Sequence, residues 1–202
     1  MASIFDDRKG LAVCAIVVLA LSWYYFIYRA FEPSLNFINA VTAFSATIII
    51  TLSFLLGPLA KFSGFFTKYL RHRKTFGLVG YGLAALHILL VMLIYVQEPG
   101  EGTLGAAISM AVAGAAFVIF TIMAFTSTAK WVQGLGYENW KNLQRTGYIA
   151  LALVIVHVAL IEQGVVLTRL TGQIAVGLVL LALALRAIAI LIKAKTPEKI
   201  TV

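Results

Sequence analysis

The chain of 202 residues is 61% hydrophobic and only 12% charged, with a net charge of +8 and a mean hydropathy of +0.96. Soluble domains have about 25% charged residues, so this composition excludes a soluble enzyme and indicates an integral membrane protein. Cys14 is the only cysteine, which excludes an internal disulfide and a cysteine-ligated metal cluster. The sequence contains no GxGxxG or GxxxxGK stretch, so a nucleotide-binding module would have to belong to another chain.

Six apolar stretches are each long enough to cross a bilayer, which requires about 20 mainly apolar residues. The first follows a short charged segment and lacks a small-residue cleavage site, so we expect a retained helix rather than a cleaved signal peptide. The predicted fold is an all-α integral membrane protein in which residues 1–202 form a single six-helix transmembrane domain. The predicted helices span residues 11–29, 38–60, 75–96, 104–127, 145–163 and 168–192.

Charge is distributed unequally between the two sides of this predicted bundle. Six crossings place both termini and the two longer connections, 61–74 and 127–142, on one side. The basic residues of that side are Arg8, Lys9, Lys61, Lys68, Arg71, Arg73, Lys74, Lys130, Lys141, Arg145, Lys193, Lys195 and Lys199. The charged residues of the other side are Arg29, Arg169, Glu32, Glu98, Glu101 and Glu162. The positive-inside rule therefore predicts that both termini are cytoplasmic, and we expect the membrane to be the plasma (inner) membrane. The basic charge then reflects topology and lipid contact rather than nucleic-acid binding.

Two of the three histidines lie inside predicted helices at matching depth. His87 is about 13 residues past Lys74 in the third helix, and His157 is about 12 residues past Arg145 in the fifth, which correspond to about 20 and 18 Å. Both helices run in the same direction, so the rings lie at nearly the same level, past the midplane towards the outside. Ionisable residues inside a membrane are costly and are usually functional.

A facing pair of neutral imidazoles supplies the two axial nitrogen ligands of a six-coordinate haem iron, a cofactor that helical bundles commonly bind. Zinc needs further N, S or O ligands, and no Cys, Asp or Glu lies at this depth; copper lacks a third ligand. Gly80 and Gly164 lie seven residues from His87 and His157, where a missing side chain would let a porphyrin edge approach, with close helix packing as the alternative. We predict His87 and His157 as ligands of haem iron. The alternative is that each histidine is only hydrogen-bonded to a neighbouring helix.

Two motifs in this order resemble those of a known family. The segment "RHRKTFGLVGYGLAALH" resembles the third-helix signature of the ferric reductase-like transmembrane family, and "LGYENWKNLQRTGYIALALVIVH" is similar to its fifth-helix signature. "AFTST" resembles the end of its fourth helix, so that the resemblance covers about residues 38–165. Members include the membrane cores of NADPH oxidases and metalloreductases and the haem-binding membrane subunit of a bacterial methionine-sulfoxide reductase system. The resemblance implies a b-type haem between the third and fifth helices, with His87 and His157 as its axial ligands.

The chain departs from the family at Gln144, which stands where the family has the histidine of Leu-His-Arg. Members with two haems also use an earlier third-helix histidine, near the position of His72. Because glutamine is a poor iron ligand, the resemblance implies one haem, in the outer half of the membrane. His72 is then expected to be a solvated interfacial residue, with contact to a quinone head group or a haem propionate as the alternative. Arg186 is expected to snorkel to the interface. Alternatively, it contacts a haem propionate or an anionic lipid, or it fills the space that a second, inner haem occupies in other members of the family.

These features predict a b-type cytochrome that acts as a membrane electron-transfer subunit, with one haem b as its cofactor and a quinone as a second candidate ligand. An iron with two histidine ligands has no open position, which favours one-electron transfer over substrate oxygenation. Electrons would pass from a quinol or a separate flavoprotein subunit to an extracytoplasmic acceptor, so that any enzyme would be an oxidoreductase complex. The alternative is a haem-free scaffold or anchoring subunit. A transporter with a histidine proton relay is disfavoured because helices three and five lack proline and no repeat is found.

Overall fold

The computed structural model describes residues 6–30, 32–97 and 103–195, without the side chains of residues 162, 163 and 193–195. These described residues are almost entirely helical and contain no β-strand. Six of their helical stretches are long and apolar enough to cross a membrane, which confirms the predicted all-α, six-helix membrane fold. The residues for which the sequence predicted a side of the membrane but which fall outside this description are Glu98, Glu101 and Lys199, together with the side chains of Glu162, Lys193 and Lys195.

The helices begin and end close to the predicted positions. The first four are α1 (Arg8–Trp23, continued by a π-helical turn at Tyr24–Tyr28), α2 (Leu35–Phe62), α3 (Arg73–Gln97) and α4 (Leu104–Phe125). The remaining five are α5 (Ala129–Leu135), α6 (Tyr137–Arg145), α7 (Gly147–Leu160), α8 (Val165–Thr168) and α9 (Leu170–Lys195). Side-chain oxygens cap three of the spanning helices by accepting backbone N–H bonds in the first turn: Asp7 for α1, Ser34 for α2 and Thr103 for α4.

Both long connections contain short helices. Residues 61–74 contain a 3-10 helix, Gly64–His72, and residues 127–142 contain α5 and most of α6. The predicted fifth helix is shorter at both ends than expected, since α7 covers only Gly147–Leu160 and is followed by a 3-10 turn at Ile161–Gly164. The short helices near the membrane surface lack a long apolar run, which is why hydropathy alone missed them.

α2 forms the centre of the bundle. Its buried residues Ala46, Ile49, Ile50, Ser53 and Phe54 recur at the three- and four-residue spacing of one helical face. α3 packs along α2, and α9 and α1 also contact it, whereas α7 packs mainly on α4. The helices that carry His87 and His157 are therefore held chiefly by different partners, α2 and α4.

The two ends of the bundle differ in charge. We call the end where α1 and α3 begin the basic end; Asp7 at the start of α1 hydrogen-bonds His72 and Thr75 there. At the opposite end, Tyr25 of the first span bonds Thr171 at the start of α9. The described basic residues of the basic end are Arg8, Lys9, Lys61, Lys68, Arg71, Arg73, Lys74, Lys130, Lys141 and Arg145.

Candidate functional site

The ring of His87 is oriented by the neighbouring helix. Its Nδ1 lies 2.7 Å from Oδ1 of Asn39, near the start of α2. An amide oxygen can only accept, so the Nδ1–H donates this bond and the lone pair of the neutral ring is on Nε2. The side chain is half-buried, so the membrane-embedded ring has a fixed tautomer.

The ring of His157 is oriented in the same way from α4. Its Nδ1 lies 2.9 Å from Oγ of Ser109 and 3.1 Å from the Ser109 carbonyl oxygen. A carbonyl oxygen can only accept, so Nδ1 carries the proton and Nε2 carries the lone pair. The Ser109 hydroxyl donates to the His157 carbonyl oxygen at 3.2 Å, which joins α4 and α7 at this level.

The two histidines thus share one arrangement. Each ring donates from Nδ1 to a neighbouring helix, and each Nε2 has no hydrogen-bond partner among the residues that the structure describes. Histidine ligands of metals are commonly oriented by such a bond at the second ring nitrogen. The imidazoles of His87 and His157 also lie within electrostatic range of each other. If these histidines served only to bond neighbouring helices, one nitrogen of each ring would be used. The second nitrogen of each ring is left with a lone pair, and two such nitrogens are the donor set that haem iron requires.

The donor chemistry around this pair fits haem better than a bare metal ion. Within the described ranges, no group of three or more His, Cys, Asp or Glu could hold a metal ion. Zinc sites use at least three protein ligands from this set, whereas haem iron already has four porphyrin nitrogens and needs only two axial ligands. His87 and His157 are therefore the residues that would hold haem.

The interpretation of Gly80 and Gly164 as the edges of a porphyrin site is wrong. A Cβ at Gly80 would lie 2.5 Å from Cγ1 of Ile50 and 3.0 Å from its backbone nitrogen, so this glycine allows α3 to approach α2. Gly164 lies beyond the end of α7 and has a φ of 85°, a left-handed conformation that favours glycine. It is therefore a turn residue and does not share a helical face with His157. Close helix packing is the correct interpretation for Gly80.

The expectation that His72 is solvated is also wrong. The ring is buried, with 6% of its surface exposed, because the 3-10 helix turns it towards the start of α1. Its Nδ1 lies 2.7 Å from Oδ1 of Asp7, and the Arg71 Nε–H donates to its Nε2 at 3.4 Å. Both ring nitrogens are engaged, unlike those of His87 and His157 within the described chain, so His72 serves to join the ends of α1 and α3.

Acid is expected to weaken this junction through Asp7. Burial raises the pKa of Asp7, but hydrogen bonds from Thr75, His72 and the Gly10 N–H outweigh it and hold the pKa below the ordinary 3.8. A carboxyl group with a lowered pKa stabilises the fold above its unfolded pKa, and this stabilisation is lost as the pH falls through the folded pKa. Asp7→Asn should therefore lower the Tm at neutral pH, and its deficit relative to wild type should shrink below about pH 4. Thermal unfolding of wild type and Asp7→Asn from neutral pH down to below about pH 4 measures this deficit in Tm. A deficit that does not change with pH would contradict the stabilising role of the Asp7 carboxylate.

Gln144 and Arg186 lie in the half of the bundle nearer the basic end. The Gln144 amide donates to the Met123 carbonyl oxygen and to Oγ1 of Thr126, both at 3.3 Å, so it holds the end of α4 against α6. The guanidinium of Arg186 lies 5.4 Å from the centroid of the Tyr148 ring and lines a cavity inside the bundle. Arg186 is half-buried, and the cavity extends to Lys61 and Lys141 at the basic end, so snorkelling of Arg186 towards that end stays a prediction, as do its alternatives.

Asn39 and Ser109, the two residues that orient the histidines, were not predicted from the sequence. A signal for them was present. Each is a polar residue about five positions into an apolar helix that starts at the end opposite the basic one, and this is the level of His87 and His157. Polar side chains inside membrane helices commonly bond across to another helix.

The sequence similarity agrees with this arrangement. A model of the ferric reductase like transmembrane component family matches residues 40–161, which is more than half of the chain and includes His87, Gln144 and His157. The chain belongs to this family. This membership confirms the resemblance seen in the third- and fifth-helix motifs.

A curated relative is similar to part of the chain. The chain is 28% identical over 133 residues to the magnetosome protein MamZ of Magnetospirillum gryphiswaldense, and the match covers 62% of this chain. It covers 20% of MamZ, so the chain spans about a fifth of the length of this relative. MamZ is therefore much longer than this chain.

Proposed function

We propose that the chain is a b-type cytochrome, a membrane electron-transfer subunit that holds one haem b between α3 and α7. The observation that carries the proposal is the pair of half-buried imidazoles, His87 and His157, each fixed at Nδ1 and without a partner at Nε2 among the described residues. Family membership supports a membrane redox role. When bound, haem with two histidine ligands supplies one-electron transfer without an open position for a substrate.

Asn39 and Ser109 are positioning residues for the two ligands. Each accepts the Nδ1–H bond, at 2.7 Å for Asn39 and at 2.9 Å for the Ser109 hydroxyl. Such bonds fix the ring orientation and make the opposite nitrogen a stronger ligand. They also fix the tautomer of each neutral ring, because the proton on Nδ1 leaves the lone pair on Nε2.

One haem, rather than two, is supported by the contacts of the remaining candidates. Gln144 is bonded to α4, and His72 has both ring nitrogens engaged with Asp7 and Arg71. A second site near the basic end would need a ligand from each of these elements. Neither residue offers a free imidazole nitrogen there.

Gln144→His is accordingly expected to leave the haem content at one per chain. The new imidazole lacks a partner, because turning His72 inward would break its 2.7 Å bond to Asp7 and the contact of its Nε2 with Arg71. Haem quantitation per polypeptide for wild type and Gln144→His measures this directly, with Gln144→Asn as the matched control. A rise towards two haems in Gln144→His alone would show that His72 is free to turn inward.

The charge asymmetry supports an orientation with the basic end in the cytoplasm of a plasma (inner) membrane. His87 and His157 lie in the halves of α3 and α7 further from that end. Electrons would then leave towards an extracytoplasmic acceptor. The donor on the other side is a membrane quinol or a separate redox protein subunit.

Proteoliposomes test electron transfer itself. Purified protein is reconstituted with ferricyanide enclosed, a quinol is added outside, and the loss of ferricyanide absorption is followed. The expected rate exceeds that of vesicles with the His157→Ala protein, which have the same lipid and the same direct quinol leak. Equal rates in the two preparations would contradict the electron-transfer function and favour the alternative, a haem-free scaffold or anchoring subunit.

A further inference from the structure

A large cavity lies in the half of the bundle nearer the basic end, away from His87 and His157. Its volume is about 1230 Å³, above the roughly 300–1,000 Å³ of most small-molecule sites. It reaches from Lys61 and Lys141 to Phe54 and Phe120 in the core. No histidine is among the described residues that line it, so a second haem with two histidine ligands does not account for it.

The charges that line this cavity are of one sign. Seven of its lining residues are Lys or Arg, and among the described lining residues there is no Asp or Glu. Lys141 pairs with Glu138, Arg145 bonds Asn142 and Arg71 bonds His72, and Lys61 also has an interaction partner. Of the remaining lining cations, two are arginines, whose guanidinium groups offer several N–H donors.

Arg73 and Arg186 are these two arginines. The Arg73 Nε–H donates to the Ser53 carbonyl oxygen at 3.0 Å, and its guanidinium stacks over Gly57, within about 4 Å of where a Cβ would lie. Its two Nη groups have no acceptor among the described residues. The Arg186 guanidinium contacts only the face of Tyr148 among the interactions of the described chain. The two half-buried cations are within electrostatic range of each other.

Arg73 and Arg186 present two positive charges to the same cavity. Two like charges inside a membrane protein repel each other in a medium of low dielectric constant, and a buried charge is tolerated when it is paired. Two of the neutral hydrogen-bonding groups that line the cavity are already used, since the Tyr148 hydroxyl donates to the Phe54 carbonyl oxygen and the Trp140 Nε1–H donates to that of Thr126. Free guanidinium N–H groups match the oxygens of a phosphate, which they bind in pairs.

We propose that this cavity binds a phosphate ester with an apolar body, its phosphate held between Arg73 and Arg186 and its body against Phe54, Phe120 and Met123. The charge of the phosphate compensates the two guanidinium groups. The apolar lining excludes inorganic phosphate as the preferred ligand. The shared chemistry admits two sources, an anionic phospholipid of the bilayer or a soluble aromatic phosphate. The proposal is independent of haem binding.

Native mass spectrometry of the detergent-solubilised protein tests the proposal. Titration with dihexanoyl phosphatidylglycerol should give one bound lipid per chain, and phosphatidylcholine of the same chain length should bind more weakly. Arg73→Gln/Arg186→Gln should weaken phosphatidylglycerol binding by about tenfold or more, as expected when charge-assisted contacts are lost. Arg169→Gln at the opposite end is the matched control and should bind as wild type does. Phenyl phosphate is then added to wild type with phosphatidylglycerol bound. If phenyl phosphate displaces the lipid, the site is open to soluble phosphate esters; if it does not, the ligand comes from the bilayer.

Single variants keep the test decisive if the double variant does not fold. Arg186→Gln removes the cation that has only an aromatic contact within the described chain, and Arg186→Lys should restore part of the affinity. His157→Ala should bind phosphatidylglycerol as wild type does, so a failure of the haem assignment leaves this result unchanged. Equal binding by wild type and Arg186→Gln, or no preference for phosphatidylglycerol over phosphatidylcholine, would overturn the proposal.

Discussion

Replacing either His87 or His157 with alanine is expected to abolish the low-spin haem absorption of the purified protein. Each imidazole offers an Nε2 that no described residue engages, and among those residues no other histidine has a free ring nitrogen to replace it. In the proposed site, loss of one of the two histidines would leave haem iron with a single protein ligand, which would make it high-spin and more weakly held. Absorption spectra of the oxidised and reduced proteins, scaled to polypeptide concentration, measure the loss.

The third histidine supplies the control for this prediction. His72→Gln should keep the haem spectrum of the wild type, although it should lower thermal stability because the Asp7 bond is altered. Imidazole added to His87→Ala or His157→Ala should restore part of the low-spin absorption by entering the vacated space. Normal spectra in both alanine variants would show that these histidines only bond neighbouring helices.

Gly80→Leu is expected to cause a large loss of stability. Its first side-chain atom would meet both the Ile50 side chain and the Ile50 backbone, and backbone on a packed helix cannot move aside as a flexible side chain can. Overpacking typically lowers the free energy of unfolding by about 1–3 kcal/mol, occasionally more. Because Gly80→Leu would also separate α3 from the central helix α2, we expect a loss at or above the upper end of this range.

Gly82→Leu is the matched control, two residues further along the same helix. Gly82 is exposed, and a Cβ there would meet nothing within 4 Å among the described atoms. Thermal unfolding in detergent should therefore show a strongly reduced Tm for Gly80→Leu and a nearly unchanged Tm for Gly82→Leu. If Gly80→Leu unfolds at the same temperature as Gly82→Leu and loses only haem, then close packing of α3 on α2 does not explain the glycine at position 80.

The features that depend on composition along the chain could be predicted from the sequence. Each membrane span is a continuous apolar stretch, so six crossings and their approximate limits followed from hydropathy. The level of His87 and His157 followed from the constant rise of a helix, counted from the basic residues at its start. The family motifs both end in one of these histidines, and the axial-ligand roles that they imply stay a prediction.

The features that depend on contacts between distant residues could not be predicted. His72 lies 65 residues from its partner Asp7, and a run of basic neighbours suggested solvent instead. Gly80 has the spacing expected of a cofactor face, but that same face is occupied by Ile50. Gly164 was placed by extending a helix that ends at Leu160. Helical spacing predicts which residues share a face but not what covers it.

The inner half of the bundle shows the same limit. Gln144 indicated that a family ligand is missing, but no sequence pattern indicated that Arg73 and Arg186 would line the remaining space together. They lie on α3 and α9, more than a hundred residues apart. Only the packing of both helices around α2 brings the two cations within range of each other.

Haem content per chain tests the central claim most directly. A reduced-minus-oxidised spectrum with pyridine haemochrome quantitation of the purified wild-type protein reports the type and number of haem groups together. The arrangement of His87 and His157 predicts one low-spin haem b per polypeptide. Absence of a Soret band in protein expressed with ample haem would contradict it and leave the scaffold function, and two haems per polypeptide would contradict the assignment of a single site.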